Sequence, residues 1–180
     1  MRSEVASEPK LTVRAVERRL ISELRSLGFV RVKWSCLKLV KAVNADTEVF
    51  LYPSAIRVGA EVLIDPFMGV DNVTLRERLF AEDRERWQGL CIVCHAVLAV
   101  LASWDRLFVH TNAGLDRAAA KVVRTVIEIG LPLMRDFDTL DKVKRLFQDE
   151  IAGTKKARVA VVYAEEKLAQ IERHCPRYLH

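Results

Sequence analysis

Strands gathered early and helices gathered late predict an α+β fold: an N-terminal helix, a three-stranded antiparallel meander, and then a cluster of four to five helices packed against it. Three patterns carry that expectation. Apolar residues recur at steps of three and four from Val13 to Leu27 and alternate at period two between Val30 and Ile64. From Asp65 onward only helical patterns stand out.

In the first helix, expected over about residues 10–27, Val13, Val16, Leu20, Leu24 and Leu27 form one apolar face, with Arg14, Glu17, Arg18, Glu23 and Arg25 mostly on the other. Gly28 stands where a left-handed C-terminal cap is wanted. Val30, Val32, Trp34 and Cys36 then alternate with Arg31, Lys33 and Ser35 as a half-buried strand requires, with a slip at Cys36-Leu37 that reads as a bulge. A turn around Asn44-Ala45-Asp46 leads to a second strand, Glu48 to Tyr52, broken by Pro53-Ser54. Ile56, Val58, Ala60, Val62 and Ile64 form the third strand of the expected meander.

The helical part begins with Thr74 to Trp87, whose dense mixed charges read as a solvated face with weak ion pairs. Leu90 to Trp104 follows as a helix apolar nearly all round; at 15 residues it falls short of the ~20 that cross a bilayer. A further helix is expected over Leu115 to Ile129, ended by Gly130 and Pro132. Asp138 is placed to cap the next, to about Glu150, with Asp141 in its first turn, and Ala157 to His174 forms the last, stopped by Pro176. The chain is expected to form a single domain over residues 1–180: a loose start at 1–9, helix plus strands at 10–64, and the helical part at 65–180.

With 51% hydrophobic and 29% charged residues, the composition is that of a globular protein, and 180 residues suffice to bury a core without disulfides or metals. Met1 to Val5 has an early acidic residue and no apolar run of a signal peptide, which points to a cytoplasmic location. Cys36, Cys91, Cys94 and Cys175 are therefore expected as free, largely buried thiols. The net charge of +5 resides in residues 1–60, where 11 Lys and Arg stand against 6 Asp and Glu; residues 61–180 balance 18 against 18.

Cys91-Ile92-Val93-Cys94-His95 is the one run with metal-ligand spacing. On the expected helix, Cys91, Cys94 and His95 share a face and could supply three ligands. Cysteine in an apolar helix is more often a small core residue, so packing is the preferred reading, metal the alternative, and no cofactor is expected. Neither a nucleophile elbow nor a phosphate loop is present, and His110 in a connecting segment is a lone histidine; an enzyme is not expected. The remaining signal is charge. The basic first third, with Arg14, Arg18, Arg25, Arg31 and Lys33, could neutralise phosphates, so a nucleic-acid-binding or regulatory protein is the second reading.

The order of one amphipathic helix, Leu27-Gly28-Phe29, a small meander and then helices resembles an uncharacterised bacterial α+β family that includes polymorphic-toxin immunity proteins. Ile129-Gly130-Leu131-Pro132-Leu133-Met134-Arg135-Asp136-Phe137, followed by Asp138 to Leu140, is a second point of likeness. The resemblance implies a non-catalytic protein that binds and occludes a toxin domain. The expected contact residues are Arg31, Lys33, Arg57 and Glu61 on the meander and Arg76 and Arg84 on the charged helix.

Overall fold

A computed structural model describes residues 11–32, 38–82, 92–98, 102–103, 106–154 and 164–175, with the description of 92–97 limited to the backbone. The fold is mixed, with helices and, among the described residues, two antiparallel sheets, as an α+β chain should be. Helix α1 (Val13–Ser26) starts on Thr12, whose hydroxyl accepts from the Ala15 N–H, and buries Val16, Leu20 and Leu24. Gly28 follows at φ +84°, a conformation glycine adopts without a Cβ penalty. Lys41 adds a second cap by donating from Nζ to the Leu27 carbonyl at 2.6 Å, a cation at the negative end of the helix.

The strand region is larger than the expected meander. Strands β1 (Val30–Arg31), β2 (Leu39–Ala42), β3 (Thr47–Tyr52), β6 (Phe67–Asn72) and β7 (Ile92–Val97) form one sheet in the order β1-β2-β3-β6-β7. Strands β4 (Ala55–Val58), β5 (Glu61–Ile64) and β8 (Leu107–Val109) form a second, in the order β4-β5-β8. The expected slip at Cys36-Leu37 lies outside the described residues.

One long hairpin links the two sheets. Its register runs from Thr47↔Asn72 to Tyr52↔Phe67 in the large sheet and resumes without a shift from Ala55↔Ile64 to Val58↔Glu61 in the small one. Between the two ladders Pro53 lies across from Pro66, and a proline has no N–H to donate. Pairing is kept there by the Asp65 N–H donating to the Ser54 carbonyl at 2.9 Å.

The third expected strand is thus two strands joined by a turn at Gly59-Ala60, with Gly59 at φ +60°, the geometry of a two-residue turn with glycine first. Such a turn inverts parity. Val58 pairs with Glu61, so the even-numbered residues face outward before the turn and inward after it. Val62 and Ile64 are buried, but Ile56 and Val58 are exposed. Reading Ile56 to Ile64 as one strand assigns all five to a single face, and the turn overturns that.

The expected helix from Leu90 to Trp104 is also corrected, because residues 92–97 are strand β7 on the open edge of β6. β-Branched Ile92, Val93 and Val97 suit a strand, and a short apolar run does not distinguish a buried strand from a buried helix. β6 and β8 are likewise strands beyond Asp65, where none was expected.

Helix α2 (Val73–Glu82) begins directly from β6. Helix α3 (Asn112–Thr125) does not stop at Gly130 and Pro132; it runs through a wide π turn (Val126–Gly130) into α4 (Leu131–Arg135). Val122, Val126, Gly130 and Met134 are all buried at steps of four, which a 3.6-residue helix rotates out of line. The wider turn restores them to one face. Gly130 there lies so close to the sheet that a Cβ would sit 2.2 Å from the Met68 sulfur. Pro132 falls in the first turn of α4, where a missing N–H is tolerated. The cap of α5 (Leu140–Ile151) is Thr139, not Asp138 as expected. The Asp138 carboxylate meets Lys142 at 2.7 Å and its carbonyl accepts from Asn44 and Thr47; Asp141 does occupy the first turn. The last described helix is α6 (Ala164–His174).

The main core joins Val16, Leu20 and Leu24 of α1, Val49, Leu51, Met68, Val62 and Ile64 of the hairpin's inner face, and Ala119, Val122 and Val126 of the long helix. A second cluster gathers Leu75 and Leu79 of α2, Val143 and Phe147 of α5, and Ile171 of α6; Phe137 packs against both.

Candidate functional site

The outer face of the hairpin holds the unusual chemistry. At its large-sheet end, alternation puts Glu48, Phe50 and Tyr52 of β3 beside Phe67, Gly69 and Asp71 of β6. Asp71 and Lys38 have no exposed side-chain surface, and Lys38 Nζ lies 3.4 Å from Asp71 Oδ2 and 5.3 Å from the centre of the Phe50 ring. Arg76, on the first turns of α2, bonds the same Oδ2 and reaches Glu48 at 3.0 Å. The other oxygen, Asp71 Oδ1, is buried and accepts no hydrogen bond from the described residues.

Burial raises the Asp71 carboxyl above the ordinary carboxylate range, against the opposing pull of Arg76 and Lys38. Burial also lowers the Lys38 ammonium, which its attraction to Asp71 only partly offsets. Arg76 is the reverse case. Burial works against its charge, but Asp71 and Glu48 outweigh it and raise the guanidinium above its usual value. The cluster is locally balanced, two cations against two carboxylates, and such groups tolerate burial only as a set.

Three rings continue the face. Tyr52 and Phe67 stack with centroids 4.8 Å apart, and Phe50 meets both edge-on at 5.9 and 6.4 Å. Beyond the proline pair, the same face becomes the outside of the small sheet. Ile56, Leu63 and Phe108 form one row across β4, β5 and β8, with Val58 beside them. Ile56 is 50% exposed, Val58 43% and Phe108 36%, so four neighbouring apolar side chains, half-buried Leu63 included, meet solvent together. Polar groups rim the row: Glu61, whose carboxylate lies 3.5 Å from His110 Nδ1, and exposed Asp65 and Arg106. The other large exposed apolar residues, such as Val30 and Ile151, lie on separate elements. A cleft of about 410 Å³ between α1 and α3 is bridged at Arg19, which pairs with Glu23 at 2.9 Å and Asp116 at 3.3 Å.

The residues expected from sequence are dispersed. Glu61 lies on the outer face of the small sheet and Arg57 on its β4 edge, where its guanidinium donates to the Leu11 carbonyl and, at 3.1 Å, to the Ala60 carbonyl. Arg31 is exposed on the β1 edge, and Arg76 belongs to the buried charge cluster. Lys33 and Arg84 lie outside the described residues, as does Cys91. Cys94 and His95 are consecutive positions of strand β7, paired with Val70 and Gly69, and not of a helix. Among the described residues, no group of three or more His, Cys, Asp or Glu is placed to hold a metal ion. Cys175 is a buried free thiol whose pKa is raised by burial.

Sequence reasoning missed Asp71 and Lys38 because each reads as an ordinary surface charge. It missed Ile56, Val58 and Phe108 because the turn at Gly59 hides the change of face. The glycine after Val58 was the available signal. No family model, curated protein or solved structure matches this chain. No described helix is long and apolar enough to cross a membrane.

Proposed function

We propose that this chain is a cytoplasmic binding module, without chemistry of its own, that engages another protein through the outer face of its small sheet. The observation that carries the reading is the exposed row of Ile56, Leu63 and Phe108 with Val58. Contiguous apolar surface rimmed by polar groups is costly to leave in water and is typical of protein contact sites. Glu61, at the tip of this hairpin, is the expected contact residue that lies on this surface; Arg57 pairs with buried Val62 and so belongs to the opposite face. The resemblance seen in Leu27-Gly28-Phe29 and in Ile129 to Phe137 supports a toxin domain as the partner, neutralised by occlusion. The test is affinity capture from cells that also express the neighbouring genes, with wild type and with Ile56→Asp/Phe108→Asp. A stoichiometric protein partner retained by wild type and lost from the double variant is expected; equal capture by both ends the proposal.

Nucleic-acid binding is the second reading, favoured by exposed Arg14, Arg18 and Arg25 on α1. Two cations of the basic third are used internally, Lys38 against Asp71 and Lys41 against the Leu27 carbonyl. Gel shifts against salt test it: binding that does not weaken steeply with salt removes phosphate contacts from consideration.

A further inference from the structure

Resting on the reading of the small sheet as a docking face, we infer that its occupant is a basic, strand-like segment of another protein, with cationic side chains on both sides of an apolar one. The central strand sets this pattern. Glu61, Leu63 and Asp65 share the outer face two residues apart, an apolar residue between two carboxylates. Glu61 keeps 44% of its side chain exposed beside His110, and Asp65 is exposed as well. Both lie in a chain whose net charge is +5, so this acidic lane runs against the field of the whole molecule. Apolar Ile56 and Val58 flank it on β4; on β8 Phe108 flanks it between exposed Arg106 and His110.

A second copy of the chain fits this face poorly. A two-fold axis centred on the platform lays β5 on its own copy and brings Glu61 and Asp65 against like charges, which is destabilising. An axis shifted towards β4 sets Glu61 over apolar Val58 and leaves Asp65 with no cation. One shifted towards β8 pairs them with Arg106 and His110 but leaves Ile56 and Val58 at the wet rim. A partner with a cation, an apolar residue and a cation at alternate positions satisfies Glu61 and Leu63 of the central strand and Asp65 just past its end at once.

The test uses the full chain and two synthetic probes, an extended peptide with Lys-Thr-Leu-Thr-Lys at its centre and its Glu-Thr-Leu-Thr-Glu counterpart, titrated at low salt and followed by NMR. The basic probe should bind at least about tenfold more tightly, a difference of ~1.4 kcal/mol, and shift the resonances of Ile56, Leu63 and Phe108. Glu61→Lys/Asp65→Lys should reverse the preference. Equal or tighter binding of the acidic probe, as the net charge alone dictates, overturns the inference, as does absence of binding by the basic probe or shifts confined to another surface. Dimerisation in sedimentation velocity that Phe108→Asp abolishes overturns it in favour of a second copy. If Ile56→Asp/Phe108→Asp abolishes partner capture while the charge reversal leaves it intact, the docking face stands and only the basic occupant falls.

Discussion

The two ends of one hairpin face treat polarity in opposite ways. At the large-sheet end, Lys38 and Asp71 are fully buried beside Phe50; at the small-sheet end, Ile56, Val58 and Phe108 lie in solvent. The register between them does not slip, so the contrast arises from neither strand pairing nor side-chain alternation. It arises from what packs over each end. Arg76 on α2 stands over the Asp71 end and completes a neutral cluster, whereas no described element covers the row at Ile56. Burial of a sheet face is therefore a property of its neighbours as much as of its own residues.

The strongest way to break this comparison is Asp71→Asn. It removes the carboxylate that Lys38 and Arg76 share and should cost about 3–5 kcal/mol in urea unfolding, as removal of one member of a buried ion set does. Lys38→Met/Asp71→Leu removes both fully buried charges and should lose much less, or gain. A loss no larger than that from Ile56→Asp would show the two ends to be equivalent.

Next in size is Gly59→Val, which forces a β-branched residue to positive φ at the turn that puts Ile56 and Val58 outside. A loss of about 1–2 kcal/mol is expected in the same measurement. A neutral result means the turn does not control the inversion.

A smaller effect distinguishes the ends by pH. Because the folded pKa of Asp71 is raised, the folded state holds its proton more readily than the unfolded chain does. Its burden is absent below the ordinary carboxylate pKa and fully present above the raised one, so stability falls as pH rises through that window. Lys38 has the opposite slope. With its folded pKa lowered, the cost of charging it is full below that value and gone above the ordinary lysine pKa, so stability rises in the alkaline window. Thermal midpoints across pH for wild type and Lys38→Met/Asp71→Leu check both: the wild type should show the two slopes relative to the variant.

The smallest effect belongs to the exposed end. Ile56→Thr should change stability by no more than about 0.5 kcal/mol, because the side chain leaves water on neither side of the unfolding equilibrium to any great extent. The same substitution should weaken partner capture, which separates a binding role from a packing one. A loss of ~2 kcal/mol or more would place Ile56 in the core after all.

Local signals in the chain were legible where one element both makes and uses them. The steps of three and four from Val16 to Leu24, Gly28 after them and Asp141 in a first turn describe α1 and α5 without reference to anything else. Leu90 to Trp104 was not legible, because residues apolar on all sides suit a covered helix and a covered strand alike; the free edge of β6 decided for β7. Gly130 and Pro132 read as a stop, yet the helix continues through a π turn, and Gly130 is there packed too close to Met68 for a Cβ. The basic character of the first third was visible as a count, but not that Lys38 and Lys41 spend their charge inside the fold.

Of this protein the sequence by itself determined the α+β class, the first helix and its cap, and the balance of charge, since these depend on spacing, composition and backbone preference within a few residues. Tertiary structure decided which face of the hairpin is covered, that Asp71 is buried against two cations, and that Ile56, Val58, Leu63 and Phe108 meet as one surface. The reason is physical: burial and pairing are relations between segments far apart in the chain, such as Asn44 and Asp138, 94 residues apart, and a two-residue turn can reverse every side chain that follows it.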